Sequence, residues 1–323
     1  MTDRSHTDRS STVGFLGLGV MGRPMARNAL AGLGAEGSVV LATGSPSRVL
    51  DLVEAGATLR PTARDVADAA SVVVVMVPDL PDVERLLLGP DGLLAGHGPL
   101  VVAVGSTVSA VGVCRLAETV ERDTGGRVRL IDCPVSGGEE GAIAGTLAIM
   151  VGGEAGPVAD AMPFLRLLGW PVHLGPIGAG AVAKACNQMI VAATVLALGE
   201  ATVLAERSGI DVGMLLDLLQ GGYAGSRVLD TRKTRFVDHD YSPSGAARYM
   251  KKDLGFALEI AEATGTSAAQ LPALAAAFDE LVAAGFGDED IAATQPFIAE
   301  RKAAGGGAPP PPPTAAHLPQ IFR

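Results

Sequence analysis

The hydrophobic positions in the first half of the chain fall into short runs. They recur at residues 13–16, 38–42, 71–77, 100–104 and 128–131, and most are rich in valine. Such runs are typical of central parallel strands, which are buried on both faces. The segments between them repeat apolar residues at a helical spacing. This alternation predicts the α/β class, with a Rossmann-type, doubly wound parallel sheet.

From residue 178 onward the pattern is helical alone. Residues 178–208 form one long apolar stretch, and further helical segments follow at 212–219, 226–236, 246–264 and 271–284. We therefore predict that an all-helical C-terminal domain follows the sheet and that the long helix at 178–208 joins the two domains. The predicted boundaries are a disordered tail at 1–12, an α/β domain at 13–177, a helical domain at 178–302 and a disordered Pro-rich tail at 303–323.

Three polar residues interrupt the start of the long apolar helix. Lys184, Asn187 and Gln188 are spaced i, i+3 and i+4, which puts them on one face. Burying such groups without partners costs several kcal/mol. This face therefore meets protein partners or lines a site.

A glycine-rich turn follows the first strand. Gly17, Gly19 and Gly22 form G-x-G-x-x-G between a strand and a helical pattern, which is the context of a dinucleotide-binding fingerprint. The fingerprint makes 13–177 a dinucleotide-binding domain. Ligands of such sheets bind beyond the carboxyl ends of the strands. The predicted cofactor-binding residues at these ends are Gly17, Leu18, Gly19, Val20, Met21, Gly22, Val77, Pro78, Ser106 and Thr107.

The end of the second strand bears on the choice of cofactor. NAD-binding folds usually carry an acid there, which binds the ribose 2′-hydroxyl. This chain has no acid at residues 43–48, but Thr43, Ser45 and Arg48 could bind a 2′-phosphate. The sequence thus favours NADP, with NAD as the alternative.

Composition and charge exclude several other functions. The net charge of -10 without a basic stretch argues against nucleic acids and acidic membranes as partners. The three cysteines lack metal-ligand spacing, so no metal site is predicted and a reducing compartment is favoured. Because the N-terminus also lacks a secretory h-region, we expect a cytoplasmic protein. Lys184, Asn187, Gln188 and Glu200 interrupt the apolar helix, which argues against a membrane span.

Four separated motifs give the chain a specific resemblance. They are GLGVMGRPMARN from Gly17, DCPVSGGEEGAIAGTLAIMVGG from Asp132, GAGAVAKACNQ from Gly178 and KKDLGFAL from Lys251. In this order they resemble the β-hydroxyacid dehydrogenase family, which includes 3-hydroxyisobutyrate dehydrogenases, tartronate semialdehyde reductases and glyoxylate/succinic semialdehyde reductases. The resemblance implies an NAD(P)-dependent enzyme, similar in fold to 6-phosphogluconate dehydrogenase, that acts on a small substrate with a carboxylate.

The resemblance also implies roles for individual residues. Lys184 matches the general acid/base of the family, and Asn187 matches a substrate-contacting asparagine. Lys252 matches the lysine that closes the cofactor site, and Ser106 and Thr107 match a pair near the nicotinamide ribose. The implied substrate-binding residues are Ser136, Gly137, Gly138, Gln188 and Asp253. Family members pair through the helical domain, so a homo-oligomer, dimer or tetramer, is expected.

Two departures from the family pattern leave the substrate and the choice of cofactor open. Gly245 stands where many members carry a phenylalanine that shapes the substrate pocket, and the usual Asn-Arg-Thr after the second strand is absent. One alternative is an imine reductase, but those enzymes often replace the lysine at position 184. Another is a non-catalytic dinucleotide-binding protein, which an intact Lys184, Asn187 and Ser136 argue against.

Overall fold

A computed structural model describes residues 9–301 of the chain. Residues 1–8 of the predicted N-terminal tail and the whole predicted Pro-rich tail at 303–323 lie outside the described residues. Residues 9–12, which we also assigned to the disordered tail, are structured instead. The Arg9 side chain donates hydrogen bonds to the carbonyl oxygens of Ala67, Ala70 and Pro99, and Thr12 begins the first strand. The prediction failed here because these partners lie far along the chain.

The first part of the chain builds one sheet around six parallel strands. In chain order they are β1 Thr12–Leu16, β2 Ser38–Ala42, β3 Thr58–Leu59, β4 Val72–Val75, β5 Leu100–Val104 and β6 Val128–Asp132. Their spatial order is β3-β2-β1-β4-β5-β6. Both faces of β4 are buried, which explains its run of four valines. The order reverses next to β1, so the carboxyl ends of β1 and β4 flank the switch point where dinucleotides bind.

The first six strands are parallel, as the sequence predicted, but beyond β6 the sheet also contains antiparallel pairs. Three more strands extend it beyond β6: β7 Val135–Ser136, β8 Leu147–Gly152 and β9 Gly169–Gly175. β8 pairs antiparallel with β6 and β7, and parallel with β9. β7 follows β6 after only Cys133 and Pro134 and pairs antiparallel with β8, so the chain turns back through α6 instead of crossing over.

Helices cover the faces of this sheet. They are α1 Gly22–Leu33, α2 Leu50–Glu54, α3 Ala63–Ala69, α4 Leu80–Leu88, α5 Ala110–Thr124, α6 Gly138–Ala144 and α7 Ala155–Leu165. The core between sheet and helices includes Phe15, Met25 and Ile131, all nearly fully buried.

The rest of the described chain is helical. Its helices are α8 Ala179–Arg207, α9 Val212–Gln220, α10 Arg227–Asp238, α11 Ala247–Thr264, α12 Leu271–Ala283 and α13 Thr294–Glu300. The described chain divides into two compact units between Cys186 and Asn187, so the division falls inside α8.

α8 meets α13 at close range in the second unit. Thr294 donates a hydrogen bond of 3.0 Å to the carbonyl oxygen of Val195, and a Cβ at Gly199 would lie 2.6 Å from the Thr294 hydroxyl oxygen. α8 and the start of α13 therefore pack in close contact. By length and composition α8 would pass as a membrane span, and 44% of its most apolar window is buried in the protein.

Candidate active site

The glycine fingerprint has the shape that a dinucleotide requires. A Cβ at Gly17 would lie 2.1 Å from the carbonyl oxygen of Met76, and one at Gly22 would lie 2.0 Å from that of Gly17. A Cβ at Gly19 would meet nothing within 4 Å, so open space lies over this backbone. Close packing at two positions and open space at the third fit a pyrophosphate at the start of α1.

Some side chains of the fingerprint pack against the hydrophobic core, and others line a surface groove. Leu18 and Met21 pack against the hydrophobic core, whereas Val20 is 59% exposed. Leu18, Gly19 and Val20 line one groove together with Arg48. The structure therefore brings these predicted cofactor residues together along a single surface.

The loop after β2 is the second part of the predicted cofactor site. The Thr43 hydroxyl accepts a hydrogen bond from the Ser45 amide at 3.1 Å, which fixes the turn. Thr43 is half-buried, and Ser45 and Arg48 are exposed. The side chains of this turn are thus accessible to a ligand.

Three charged residues that the sequence had not singled out lie on the same groove. Arg23 and Arg27 of α1 both form ion pairs with Asp51 of α2. The hydrogen bond from Arg23 holds the pKa of the Asp51 carboxyl below its usual value. Arg23 and Asp51 lie 28 residues apart, so no local pattern could have revealed the pair.

The ends of β4 and β5 carry the next predicted cofactor residues. Ser106 is buried, and its hydroxyl accepts a hydrogen bond of 2.9 Å from the Val77 amide. A Cβ at Gly17 would lie 2.9 Å from the Val77 side chain, so these strand ends adjoin the fingerprint. Pro78 and Thr107, the next residues in the chain, extend the same edge. The buried Ser106 hydroxyl therefore joins the ends of β4 and β5 through its hydrogen bond with the Val77 amide.

The implied substrate-binding residues at 136–138 lie where a short strand meets a helix. Ser136 pairs with Ala148 as the last residue of β7, and Gly138 is the first residue of α6. Gly137 and Gly138 have φ values of 138° and 65°, which other residues adopt only with strain. Both glycines are exposed, so their backbone is open to a small anion.

Asp132, the first residue of the second motif, has a structural role that its place in the sequence did not reveal. Its carboxylate is fully buried and accepts hydrogen bonds from the amides of Gly178 at 2.8 Å and Ala181 at 2.6 Å. Burial raises the pKa of this carboxyl, and the amide hydrogen bonds act in the opposite direction. Asp132 thus caps the start of α8, the helix that carries Lys184.

Lys184 lies in the second turn of α8 and is only 8% exposed. A lysine is rarely buried to this extent without a partner or a function. Its burial agrees with the prediction that the polar face of this helix does not point into solvent.

The other two polar residues of the α8 face belong to a hydrogen-bonded chain. The Asn187 amide donates to the Gln188 side-chain oxygen at 2.9 Å, and the Gln188 amide donates to the Asp253 carboxylate at 2.7 Å. Asp253 is buried, and the Lys252 ammonium lies 3.8 Å from its second oxygen. Asp253 therefore acts on Asn187 through Gln188.

Gly245 lies beside a buried charge that the sequence had also not revealed. Its amide donates to the fully buried carboxylate of Asp290 at 3.1 Å, and a Cβ there would lie 3.8 Å from the same oxygen. The Arg232 Nε atom lies 3.4 Å from the other oxygen of Asp290. In this chain a polar cluster thus adjoins the place where the family carries an aromatic ring.

Comparison with known proteins supplies independent evidence. Residues 12–176 match the model of the NAD-binding domain of 6-phosphogluconate dehydrogenase, and residues 178–297 match the NAD-binding domain of NADP-dependent 3-hydroxyisobutyrate dehydrogenase. The 2-hydroxy-3-oxopropionate reductase of Escherichia coli is 37% identical over 78% of this chain and 84% of its own length.

Solved structures extend this likeness to the whole fold. The 3-hydroxyisobutyrate dehydrogenase of Salmonella typhimurium has a TM-score of 0.80 and 28% identity, covering 88% of this chain and 99% of that one. An imine reductase from Pseudomonas sp. has a TM-score of 0.56 at 22% identity, over 89% of this chain and 99% of its own. At that identity the likeness to the imine reductase concerns the fold alone.

Proposed function

We propose, from the premise that this chain belongs to the β-hydroxyacid dehydrogenase family of NAD(P)-dependent oxidoreductases, that it transfers hydride between a nicotinamide cofactor and a small 3-hydroxy acid or its semialdehyde. The observation that carries the proposal is the buried Lys184 on the same helix face as Asn187. A nicotinamide dinucleotide bound at the fingerprint supplies the hydride donor or acceptor.

The residues of this chain supply binding and proton transfer. The Ser136 hydroxyl and the exposed backbone of Gly137 and Gly138 hold the substrate carboxylate. In the reducing direction the Lys184 ammonium donates a proton to the developing alkoxide, and in the oxidising direction the neutral amine accepts it. Asn187 orients the substrate hydroxyl, and its own orientation is fixed through Gln188.

The central experiment compares Lys184→Ala with a lysine variant away from the site. Lys184→Ala should lower turnover by about 10²- to 10⁴-fold, the usual contribution of a general acid or base. The affinity for the dinucleotide should stay near that of the wild type. Lys233→Ala is the matched control, because this lysine pairs with Asp217 on another helix of the second unit.

The assay follows nicotinamide absorbance with both cofactors. The substrates are tartronate semialdehyde, succinic semialdehyde, glyoxylate and 3-hydroxyisobutyrate, with a cyclic imine added to test the imine reductase alternative. Turnover of the imine alone would refute the hydroxy-acid proposal. Near-normal turnover by Lys184→Ala would remove this residue from the mechanism, and cofactor binding without any turnover would favour a non-catalytic protein.

A homo-oligomer is part of the proposal. Ile190 and Leu204 of α8 and Met214 and Leu218 of α9 are exposed apolar side chains, which in such number mark interaction surfaces. We infer that a second copy of the chain covers them. Light scattering should give a dimer or tetramer, and Leu204→Glu should weaken it without loss of helical circular dichroism. A wild-type monomer at micromolar concentration would contradict this inference.

A cytoplasmic location is also proposed. Cys114, Cys133 and Cys186 are all free thiols, as a reducing compartment allows. Cell fractionation tests the proposal, and recovery of the native protein in a secreted or periplasmic fraction would contradict it.

A further inference from the structure

Two arginines of the fingerprint helix converge on one carboxylate. The Arg23 Nη2 and Nε atoms lie 2.8 and 3.2 Å from one oxygen of Asp51, and Arg27 pairs with the other oxygen. Arg23 and Arg27 are four residues apart and so share a face of α1. The carboxylate of α2 thus holds Arg23 in a defined orientation.

This cluster lines the groove that begins at the fingerprint. Gly19 and Val20 lie on the same groove as Arg23, Arg48 and Asp51. Two further carboxylates, Glu54 and Glu139, also line it, so its three arginines face three acids. The positive and negative side chains of the groove balance. The affinity for a charged ligand therefore depends on which of these side chains lies nearest to the ligand's charged group.

The position of the groove indicates which part of a dinucleotide it meets. With the pyrophosphate over Gly19, the adenosine ribose lies towards the end of β2. The turn there, which includes Thr43 and Ser45, offers no acid to a ribose 2′-hydroxyl. Guanidinium groups are the side chains best suited to a phosphate, because they combine full charge with forked donors.

We propose that Arg23 and Arg48 form the subsite for the 2′-phosphate of NADP, and that Asp51 limits the preference for NADP over NAD by competing for Arg23. Arg27 binds the remaining oxygen of Asp51 and so keeps that carboxylate beside Arg23. The inference rests on the proposed function, since it requires a nicotinamide dinucleotide in this groove.

The signs of the effects follow from the charges. Arg23→Ala removes a charge-assisted donor and should weaken NADP⁺ binding about 10- to 100-fold. Asp51→Asn removes an anion from the neighbourhood of the 2′-phosphate and should strengthen NADP⁺ binding about 3- to 10-fold at low salt. NAD⁺ lacks this phosphate, so both variants should change its affinity by less than about 3-fold.

The test measures binding rather than turnover. Titration calorimetry on the full-length chain gives dissociation constants for NADP⁺, NAD⁺, 2′,5′-ADP and 5′-ADP, and the last two report the subsite without the nicotinamide. The variants are Arg23→Ala, Arg48→Ala and Asp51→Asn. Arg122→Ala is the matched control, because Arg122 is also an exposed arginine of the first unit that pairs with an aspartate.

We expect Arg23→Ala and Arg48→Ala to lose affinity for NADP⁺ and 2′,5′-ADP only. Equal losses for the nucleotides with and without the 2′-phosphate would overturn the inference and leave dinucleotide binding in place. Selective weakening of NAD⁺ by Asp51→Asn would also overturn it, because Asp51 would then bind a ribose hydroxyl. If the wild type binds none of the four nucleotides, the proposed function fails as well.

Discussion

Replacing Asp132 with alanine tests how the helix of Lys184 is held. The Asp132 carboxylate accepts the Gly178 and Ala181 amides at the start of α8, and it is fully buried. Alanine would leave both amides without these acceptors. The space is also narrow, because a Cβ at Gly152 would lie 2.4 Å from a carboxylate oxygen. Glutamate therefore does not fit as a conservative replacement.

The size of the effect follows from the two hydrogen bonds. A buried donor without an acceptor costs about 1–3 kcal/mol, so two of them cost about 2–6 kcal/mol. Part of this is offset, because the variant no longer buries the carboxylate whose pKa burial raises. We therefore expect a loss of about 2–3 kcal/mol in the free energy of unfolding, which lowers the melting temperature by about 4–12 °C.

Melting curves followed by far-ultraviolet circular dichroism measure this loss. Asp211→Ala is the control, since Asp211 is an exposed cap that accepts the Met214 amide at 2.7 Å. An exposed cap contributes about 1 kcal/mol. If Asp132→Ala lowered the melting temperature no more than Asp211→Ala, the assignment of Asp132 as the buried anchor of α8 would be wrong.

The pH dependence of Asp132→Asn checks the same reasoning by another route. The folded-state pKa of Asp132 is raised above the usual 3.8, so folding favours the protonated carboxyl. The wild type then loses stability through this group as the pH rises above 3.8 towards the raised value. Asparagine does not titrate. The stability advantage of the wild type over the variant should therefore shrink across this window, and an advantage that grew with pH would contradict the cause given for the shift.

Two further predictions concern the cofactor and the polar face. Gly19→Ala should reduce the affinity for NADP⁺ and NAD⁺ without changing the melting temperature. Gly22→Ala should reduce these affinities and also lower the melting temperature, because its Cβ would lie 2.0 Å from the Gly17 carbonyl oxygen. Calorimetry and melting curves separate the two outcomes. Gln188→Ala and Asp253→Asn should each reduce kcat, and the double variant should be little worse than either one, because both break the same hydrogen-bonded chain. Additive losses of kcat would show independent roles.

The parts of the fold that the sequence predicted well depend on local periodicity. The strands at Ser38–Ala42 and Leu100–Val104 have the predicted bounds, since both contain buried apolar runs with polar or glycine residues beyond them. The two-residue β3 and the seven-residue α6 were missed because neither is long enough to show a period. The antiparallel pairing of β8 was missed for a different reason, because strand direction is not encoded in hydrophobicity.

The candidate site also contains residues that the sequence could predict and residues that it could not. Lys184, Asn187 and the fingerprint glycines could be predicted because their chemistry requires particular residue types at fixed spacings. Asp132, Asp51 and Asp290 could not, because an aspartate becomes informative only through its partners. The amides that Asp132 binds lie 46 and 49 residues away, and Arg232 is farther still from Asp290 along the chain.

Two buried acids, Asp132 and Asp253, affect function through the groups that they hold. Asp132 determines where α8 begins and hence where Lys184 lies, and Asp253 determines the orientation of Gln188 and through it of Asn187. Both acids are buried and hydrogen-bonded to these groups, so substituting either acid moves a catalytic group without removing it. Small displacements of a reacting group can cost turnover as much as its loss. Variants of Asp132 should therefore reduce kcat while cofactor affinity stays largely unchanged, because Asp132 contacts the start of α8 and neither the fingerprint nor the Arg23 groove.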